Sequence, residues 1–262
     1  MILSPVTAKL AQTSIGPAIE PSGRSMLFTF EERASDSPFI ERIWRTHSER
    51  AGSFNSIAAS HWEMVVTRHN GKTTLTVRGP ETKAMPLTCP ADGEWLGIRF
   101  KLGTVMPRLP ASHLVDGAAT LPNAAGQSFW LQGSAWQFPD YENADTFVDR
   151  LVRDDLLVRE PVVEAALQGQ LKGLSLRTAQ RHFLRTTGLT QSAVRQIERA
   201  RYATTLLQQG ASILDAVYEA GYFDQPHLTR SLKHFIGQTP TQIMDRSSSE
   251  QLSFLYKTTP FR

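Results

Sequence analysis

The sequence has very little cysteine: among its 262 residues there is one, Cys89. A single thiol excludes an intrachain disulfide framework and any zinc site built from several cysteines. The chain also lacks a Gly-x-Ser-x-Gly elbow, a His-Glu-x-x-His helix, a phosphate-binding loop and a dinucleotide-binding glycine pattern. We therefore expect no enzymatic activity, no catalytic residue and no cofactor.

Long hydrophobic runs are also missing, and none approaches the length of a membrane span. The apolar pattern at the N-terminus is interrupted by Pro5, Thr7 and Lys9, which is unlike the core of a signal peptide. Together with the single cysteine, this predicts a soluble cytoplasmic protein without a membrane partner.

Excess charge of one sign is small, because 28 basic and 25 acidic residues give a net charge of +3. That total does not by itself indicate a nucleic-acid partner. Its distribution is more informative. Residues 173–246 contain nine Arg or Lys and five Asp or Glu, a local difference of +4, so the rest of the chain is about neutral.

The first half of the chain has the pattern of β-strands. In the segment HWEMVVTRHNGKTTLTVRG, Asn70 and Gly71 are the residues that a two-residue hairpin turn requires. With that turn, two residues lie opposite each other when their numbers add up to 141. This register places the apolar residues of both strands on one face and the polar residues on the other. Further strands are predicted in SMLFTFEE, FIERIWRT and WLGIRFKL. A small antiparallel sheet or barrel is expected.

From Asn143 onward the hydrophobic period becomes helical. Phe147, Val148, Leu151 and Leu156 predict a helix from 143 to 158. A boundary near residue 140 then separates the β-rich half from a helical half, and 262 residues suffice for two such domains.

Two helix pairs in the second half have the pattern of a helix-turn-helix. In the second pair, Ser212 and Asp224 are N-caps, and Gly221 ends the first helix. The helix after Asp224 has an apolar stripe and a long polar face. In the first pair, the helix in PVVEAALQG precedes one that begins at Ser175 and ends at Gly188. The helix between the pairs, from Thr190 to Gly210, is predicted to be about 28 Å long, which suits two helices in consecutive major grooves.

These segments, LSLRTAQRHF, IERARYATTLL and AVYEAGYFDQPHLTRSLKHFIGQTP, together resemble the DNA-binding domain of the AraC/XylS family of bacterial transcription regulators. The resemblance covers roughly residues 160 to 244. It implies a multi-domain α+β chain: a cupin-like β-barrel or sheet domain for sensing or dimerisation over 1–140, a linking helix over 141–160, an all-α AraC-type domain over 161–246 and a tail over 247–262.

The resemblance also implies residues that contact DNA. Base edges are expected to be read by Arg177, Gln180 and Arg181 in the first unit and by Gln225, Pro226 and Arg230 in the second. Phosphate contacts are expected from Lys233 and Thr239, with His227 on the same side. The implied partners are operator DNA, RNA polymerase, a small-molecule effector and a second copy of the chain.

Two features depart from the family pattern. The segment GQLKGLS before the first recognition helix is longer than usual, which affects how that unit docks. Pro226 stands where a polar contact residue is common, and it cannot donate a hydrogen bond.

All five tryptophans lie in the first half, and they have two interpretations. They fill a core, or some of them line an effector pocket, for which Trp44, Trp62 and Trp95 are the candidates. A rival function is a cupin-like metal enzyme with His61, Glu63 and His69 as ligands, although eight strand positions, about 27 Å, separate the two histidines. A third is a helical domain that binds protein instead of DNA.

Overall fold

The computed structural model describes residues 27–170 and 175–245, together with the backbone of Gln251 and Leu252. Strands dominate the chain as far as Arg159, and helices dominate from Pro161 onward. The described strands are β1 (Phe28–Arg33), β2 (Ile40–Ser48), β3 (Gly52–Ser56), β4 (Glu63–His69), β5 (Lys72–Arg78), β6 (Met85–Cys89), β7 (Glu94–Phe100), β8 (Thr104–Val105), β9 (Ala118–Thr120), β10 (Ser128–Leu131), β11 (Ser134–Gln137), β12 (Val158–Arg159) and β13 (Gln251–Leu252). The described α-helices are α1 (Ala144–Arg153), α2 (Pro161–Leu167), α3 (Leu176–Thr187), α4 (Gln191–Gln208), α5 (Ile213–Glu219), α6 (Gln225–Phe235) and α7 (Pro240–Met244).

The largest sheet is antiparallel and has six strands in the order β1-β2-β7-β4-β5-β9. The predicted hairpin register is confirmed, since Glu63 pairs with Arg78 and Val66 pairs with Leu75. Asn70 and Gly71 have φ angles of 49° and 71°, the left-handed conformation that this turn needs. A β-rich region followed by a helical region is thus confirmed, while the cupin-like barrel stays a prediction.

One face of the sheet packs against α1 and the β10–β11 hairpin. Met64 and Ile98 of the sheet share a buried cluster with Phe147 and Leu151 of α1. Burial of this apolar area is the main stabilising contribution to the β-rich region. The helix α1 therefore belongs to the core of the sheet.

The helix predicted from 143 to 158, within the linking segment 141–160, is shorter than expected: α1 ends at Arg153. Asp155 has a φ of 54°, and the amide of Leu156 donates to the carbonyl of Leu151. This hydrogen-bonding pattern is a Schellman motif, which ends a helix and reverses the chain. It turns Leu157 into the core, after which β12 pairs with β8. The other domain bounds remain predictions.

The helical region is built around α4. Its first half packs with α2 and α3 through Val163, Phe183 and Ile197, and its second half packs with α5, α6 and α7 through Leu207 and Leu228. The β-rich region completes both clusters, because Ala58 enters the first and Ile57 enters the second. The two regions are therefore docked against each other.

The ends of the chain lie largely outside the described residues, as do residues 171–174 within GQLKGLS. Of the predicted tail over 247–262, the backbone of Gln251–Leu252 is described, and it pairs in parallel with Phe54 and Asn55 of β3.

Candidate nucleic-acid interface

The first predicted recognition helix, α3, begins and ends where the sequence indicates. The hydroxyl of Ser175 accepts a hydrogen bond from the amide of Thr178 at 3.2 Å, and Gly188 closes the helix with a φ of 78°. Phe183 anchors the buried side of α3. On the other side, the structure brings Arg177, Gln180 and Arg181 together as an exposed face.

The second recognition helix, α6, has a carboxylate as its N-cap. Oδ1 of Asp224 accepts from the amide of His227 at 2.7 Å, which satisfies one of the donors that a helix start leaves without an intrahelical partner. Leu228 and Leu232 face inward and are fully buried. The predicted contact residues that remain exposed on α6 are Gln225, Pro226, Arg230 and Lys233.

Tyr222 fixes α6 to its neighbours. Its hydroxyl and the hydroxyl of Ser231 lie 2.8 Å apart, and the guanidinium of Arg199, on α4, lies 4.4 Å from the centroid of its ring. Burial raises the pKa of Tyr222, so its hydroxyl keeps its proton. His227, predicted on the DNA side, is half-buried and stands edge-on to the same ring, with 5.1 Å between the ring centroids.

Thr239, a predicted phosphate contact, caps the short helix α7. Its hydroxyl accepts from the amide of Gln242 at 3.2 Å, and Oε1 of Gln242 accepts from the amide of Thr239 at 2.8 Å. This reciprocal pair is a capping box. The polar groups of Thr239 and Gln242 are thus engaged with each other, and Ile243 packs α7 into the cluster that it shares with α4 and α6.

The helix α4 sets the distance between the two recognition helices. Its 18 residues span about 27 Å at 1.5 Å per residue. Thr190 caps its start, where the hydroxyl accepts from the amide of Ala193 at 3.1 Å. Because α3 packs on its first half and α6 on its second, two basic faces lie at opposite ends of one rod.

Sequence reasoning missed two exposed residues beside these faces. Arg185 lies one turn beyond Arg181 and lines the same surface cavity on α3, with Thr178 and His182. The spacing of four residues between the two arginines could have indicated it. Phe223, 91% exposed, immediately precedes the N-cap of α6. A large aromatic residue in the turn of a helix-turn-helix was the available signal.

The tryptophan candidates for an effector site are separated in the structure. Trp62 lies in the main core, stacks on Phe100 and donates from its indole nitrogen to the carbonyl of Thr104 at 2.7 Å. Trp44 and Trp95 pack on the opposite face of the sheet, and Trp44 donates to Glu63 at 3.2 Å. A cleft of about 280 Å³ at the end of α1 is lined instead by Trp136. Ligand binding by Trp44, Trp62 and Trp95 stays a prediction.

The proposed metal ligands of the rival enzyme are not brought together. His61 faces Glu41, Glu63 accepts from Trp44, and His69 pairs with Lys72 at the far end of its strand. Within residues 27–170 and 175–245, no group of three or more His, Cys, Asp and Glu side chains is placed to hold a metal ion.

Comparisons with known proteins agree with this geometry. Residues 170–246 match a family model described as a helix-turn-helix domain. Residues 170–246 are therefore similar to a helix-turn-helix domain, in agreement with the two helix pairs that the sequence predicts.

The same comparisons include a related sequence and a solved structure. The chain is 33% identical over 168 residues to the HTH-type transcriptional regulator RipA of Corynebacterium glutamicum, an alignment that covers 58% of this chain and 49% of RipA. The chain thus spans about half the length of that curated relative. The structure of ToxT from Vibrio cholerae aligns over 82% of this chain and 98% of ToxT, with a TM-score of 0.35 and 9% identity, values too low to support an argument.

In the part of the chain that the structure describes, no helix is both long enough and apolar enough to cross a bilayer.

Proposed function

We propose that this protein is a sequence-specific DNA-binding transcription regulator of the AraC type that reads two successive major grooves. The observation that carries the proposal is the pair of exposed, basic, N-capped helices at opposite ends of α4. Successive major grooves on one side of B-DNA are about 34 Å apart, and a rod of about 27 Å with a helix packed at each end suits that distance.

Each recognition face carries side chains that can read bases. Arginine makes bidentate hydrogen bonds to guanine O6 and N7, and glutamine makes them to adenine N6 and N7. We assign base contacts to Arg177, Gln180 and Arg181 of α3 and to Gln225 and Arg230 of α6. Pro226 offers an apolar contact. Phosphate contacts are assigned to residues nearer the helix ends, Lys233 and Arg185.

The partners of the whole protein are inferred from the same assignment. Operator DNA is the first partner, and the similarity to RipA, a transcriptional regulator, supports the regulatory role. The β-rich region senses a small molecule or forms a dimer, and the protein regulates transcription by RNA polymerase. It works in the cytoplasm, at the nucleoid.

Replacing Arg230 with alanine tests base reading by α6. Loss of a bidentate contact should weaken binding to a DNA sequence selected from a random pool by about 1–3 kcal/mol and relax the preference at one base pair. Lys233→Ala is the matched control, because a phosphate contact is independent of sequence. It should weaken binding to all sequences alike and reduce the salt slope by about one. Titrations at several salt concentrations measure both effects.

Arg181→Ala should reproduce the Arg230→Ala result in the other half-site, about one helical turn away. The proposal fails if each arginine variant weakens binding to selected and to random DNA equally. In that case both helices contact the backbone alone.

The position of Phe223 leads to a further expected contact. An exposed aromatic ring beside the N-terminus of a recognition helix can pack on the C5-methyl group of thymine. Replacing one thymine of the selected site with deoxyuridine removes that methyl group. We expect this replacement to weaken binding several-fold at one position for the wild-type protein and to have no effect there for Phe223→Ala.

Tyr218→Ala provides the control for Phe223, because Tyr218 is also exposed but lies on α5. It should respond to deoxyuridine as the wild-type protein does. Equal responses of the Phe223 and Tyr218 variants would show that Phe223 does not read thymine, and would leave the wider proposal intact.

A further inference from the structure

A buried cluster of polar residues joins the sheet to α4. It begins at Glu41, the extra residue of a β-bulge in β2, where Ile40 pairs with Phe100 and Arg42 pairs with Arg99. Bulges redirect a side chain away from the regular alternation of a strand. Glu41 thereby reaches His61, with 2.9 Å between Oε2 of the carboxylate and Nε2 of the imidazole.

From His61 the chain of contacts continues to the helical region. Nδ1 of His61 lies 3.0 Å from the hydroxyl oxygen of Ser60, and that hydroxyl donates to Oε1 of Glu198 at 2.6 Å. Glu198 and Arg201 both lie on α4. Arg201 also donates to the carbonyl oxygen of Ala58 at 3.1 Å. The segment from Ala58 to His61 is thus held to the helix that spaces the two recognition helices.

The positions of the protons follow from the partners. A carboxylate accepts and cannot donate, so Ser60 gives its single hydroxyl proton to Glu198. Its oxygen can then only accept from His61, which requires a proton on Nδ1. Nε2 faces a second carboxylate and needs a proton as well. An imidazole with protons on both nitrogens is the cation, so the hydrogen bond to Ser60 and the ion pair with Glu41 together require a charged His61.

The surrounding charges agree with this assignment. The charged groups that face the cluster are Glu41 on β2, Glu63 on β4, Arg99 on β7, and Glu198 and Arg201 on α4. Glu63 also faces Arg78 on β5, which forms an ion pair with Glu81. With this pair included, four carboxylates and three guanidinium groups leave one negative charge, which an imidazolium neutralises. Burial raises the pKa of Glu41, but the charges of His61, Arg99 and Arg201 outweigh that effect and lower this pKa from 4.5 to about 2. Glu41 is therefore ionised throughout the range in which histidine titrates.

We propose that the Glu41–His61–Ser60–Glu198 chain is a pH-sensitive latch between the β-rich region and α4. The latch is complete when His61 carries two protons. When His61 loses one proton, the nitrogen that lost it becomes an acceptor and faces another acceptor, either the carboxylate of Glu41 or the oxygen of Ser60. The loss of this contact weakens the docking of the two regions. Histidine is the side chain whose charge changes between about pH 5 and 8, so docking is strong at the lower end of that range and weaker at the upper end.

Two backbone hydrogen bonds report directly on the docking. The amide of Ala58 donates to the carbonyl of Phe235 at 2.7 Å, and the amide of Ala84 donates to the carbonyl of His234 at 2.9 Å. Both bonds join the β-rich region to the end of α6. Their amides exchange with solvent when the two regions separate, so their protection factors measure the opening equilibrium.

The experiment measures hydrogen exchange of the full chain by NMR at about pH 6 and about pH 8, expressed as protection factors so that the intrinsic pH dependence of exchange is removed. We expect protection of the Ala58 and Ala84 amides to fall roughly tenfold over this range, the equivalent of one charge-assisted hydrogen bond. Amides within β4 and β7 should keep their protection. Unchanged protection at Ala58 and Ala84 would overturn the proposal.

Glu198→Gln is the decisive variant. The amide of Gln at 198 can donate to Ser60, so Ser60 can donate to Nδ1 of a neutral His61, whose Nε2 still donates to Glu41. Every partner is then satisfied without the cation, and the pH dependence should disappear while docking persists. A pH dependence equal to that of the wild-type protein would overturn the assignment of protons.

Histidine variants complete the test. His61→Gln should lose the pH dependence, whereas His69→Gln, at the distant end of β4, should keep it. If His61→Gln does not fold, nitrogen resonances of the His61 ring in the wild-type protein replace it. They should show protons on both nitrogens at about pH 6, and a neutral ring there would contradict the latch.

Discussion

Replacing Phe183 with alanine is expected to lower the free energy of unfolding by about 3–5 kcal/mol. Phe183 is 1% exposed and lies at the centre of a cluster that includes Val163, Val194 and Ala58. The surroundings come from α2, α4 and the β-rich region, so they cannot all close over the cavity that the missing ring leaves. Urea unfolding followed by circular dichroism measures the change.

Leu184→Ala is the matched control for Phe183. Leu184 is the next residue on α3 but is 46% exposed, so its truncation should cost less than about 1 kcal/mol. The two substitutions alter the helix propensity of α3 to similar extents and differ in burial. Similar costs for both variants would contradict the described packing of α3.

The second large effect is expected for Glu41→Gln. At neutral pH the substitution removes one of the carboxylates that face His61, Arg99 and Arg201, so Glu63 and Glu198 are left to balance their positive charges. Removing one partner of a buried ion pair costs about 3–5 kcal/mol, and because the Glu41 side chain is 25% exposed we expect a value at the lower end of that range. The pKa of Glu41 is lowered from 4.5 to about 2 in the folded protein. This shift corresponds to a similar stabilisation, roughly 3 kcal/mol.

The pH dependence of this variant has a defined sign. Because the pKa of Glu41 is lower in the folded protein, its contribution is fully present above 4.5 and is lost as the pH falls towards about 2. The difference in unfolding free energy between wild-type protein and Glu41→Gln should therefore shrink between pH 4.5 and about 2. Glu49→Gln, whose side chain is 43% exposed, should show a small difference throughout. If the difference in unfolding free energy between wild-type protein and Glu41→Gln stays constant over this pH range, the assignment of Glu41 as an ionised, paired carboxylate is contradicted.

Local signals in the sequence were sufficient to predict the hairpin and the helix starts. Asn70 and Gly71 determine a turn through their own φ preferences, and the register follows from the turn. Ser175, Thr190, Ser212 and Asp224 each accept from an amide three residues ahead, an interaction that needs no distant partner. The exposed arginines of α3 and α6 followed from helical periodicity once these starts were known.

Features that depend on distant segments could not be predicted in the same way. Leu156 continues the apolar period of α1, yet the left-handed Asp155 ends the helix before it. The insertion of Ile57 and Ala58 into the helical clusters depends on how two regions dock. The bulge at Glu41 and the burial of Arg201 depend on the same contact. No pattern within one segment carries that information.

Hydroxyl-radical footprinting of the full chain, on DNA selected from a random pool, tests the central claim most directly. Two recognition helices at the ends of α4 predict two protected patches on one face of the duplex, about 10–10.5 base pairs apart. Arg181→Ala should weaken one patch and Arg230→Ala the other. A single protected patch, or protection without sequence preference, would contradict a protein that reads two successive major grooves.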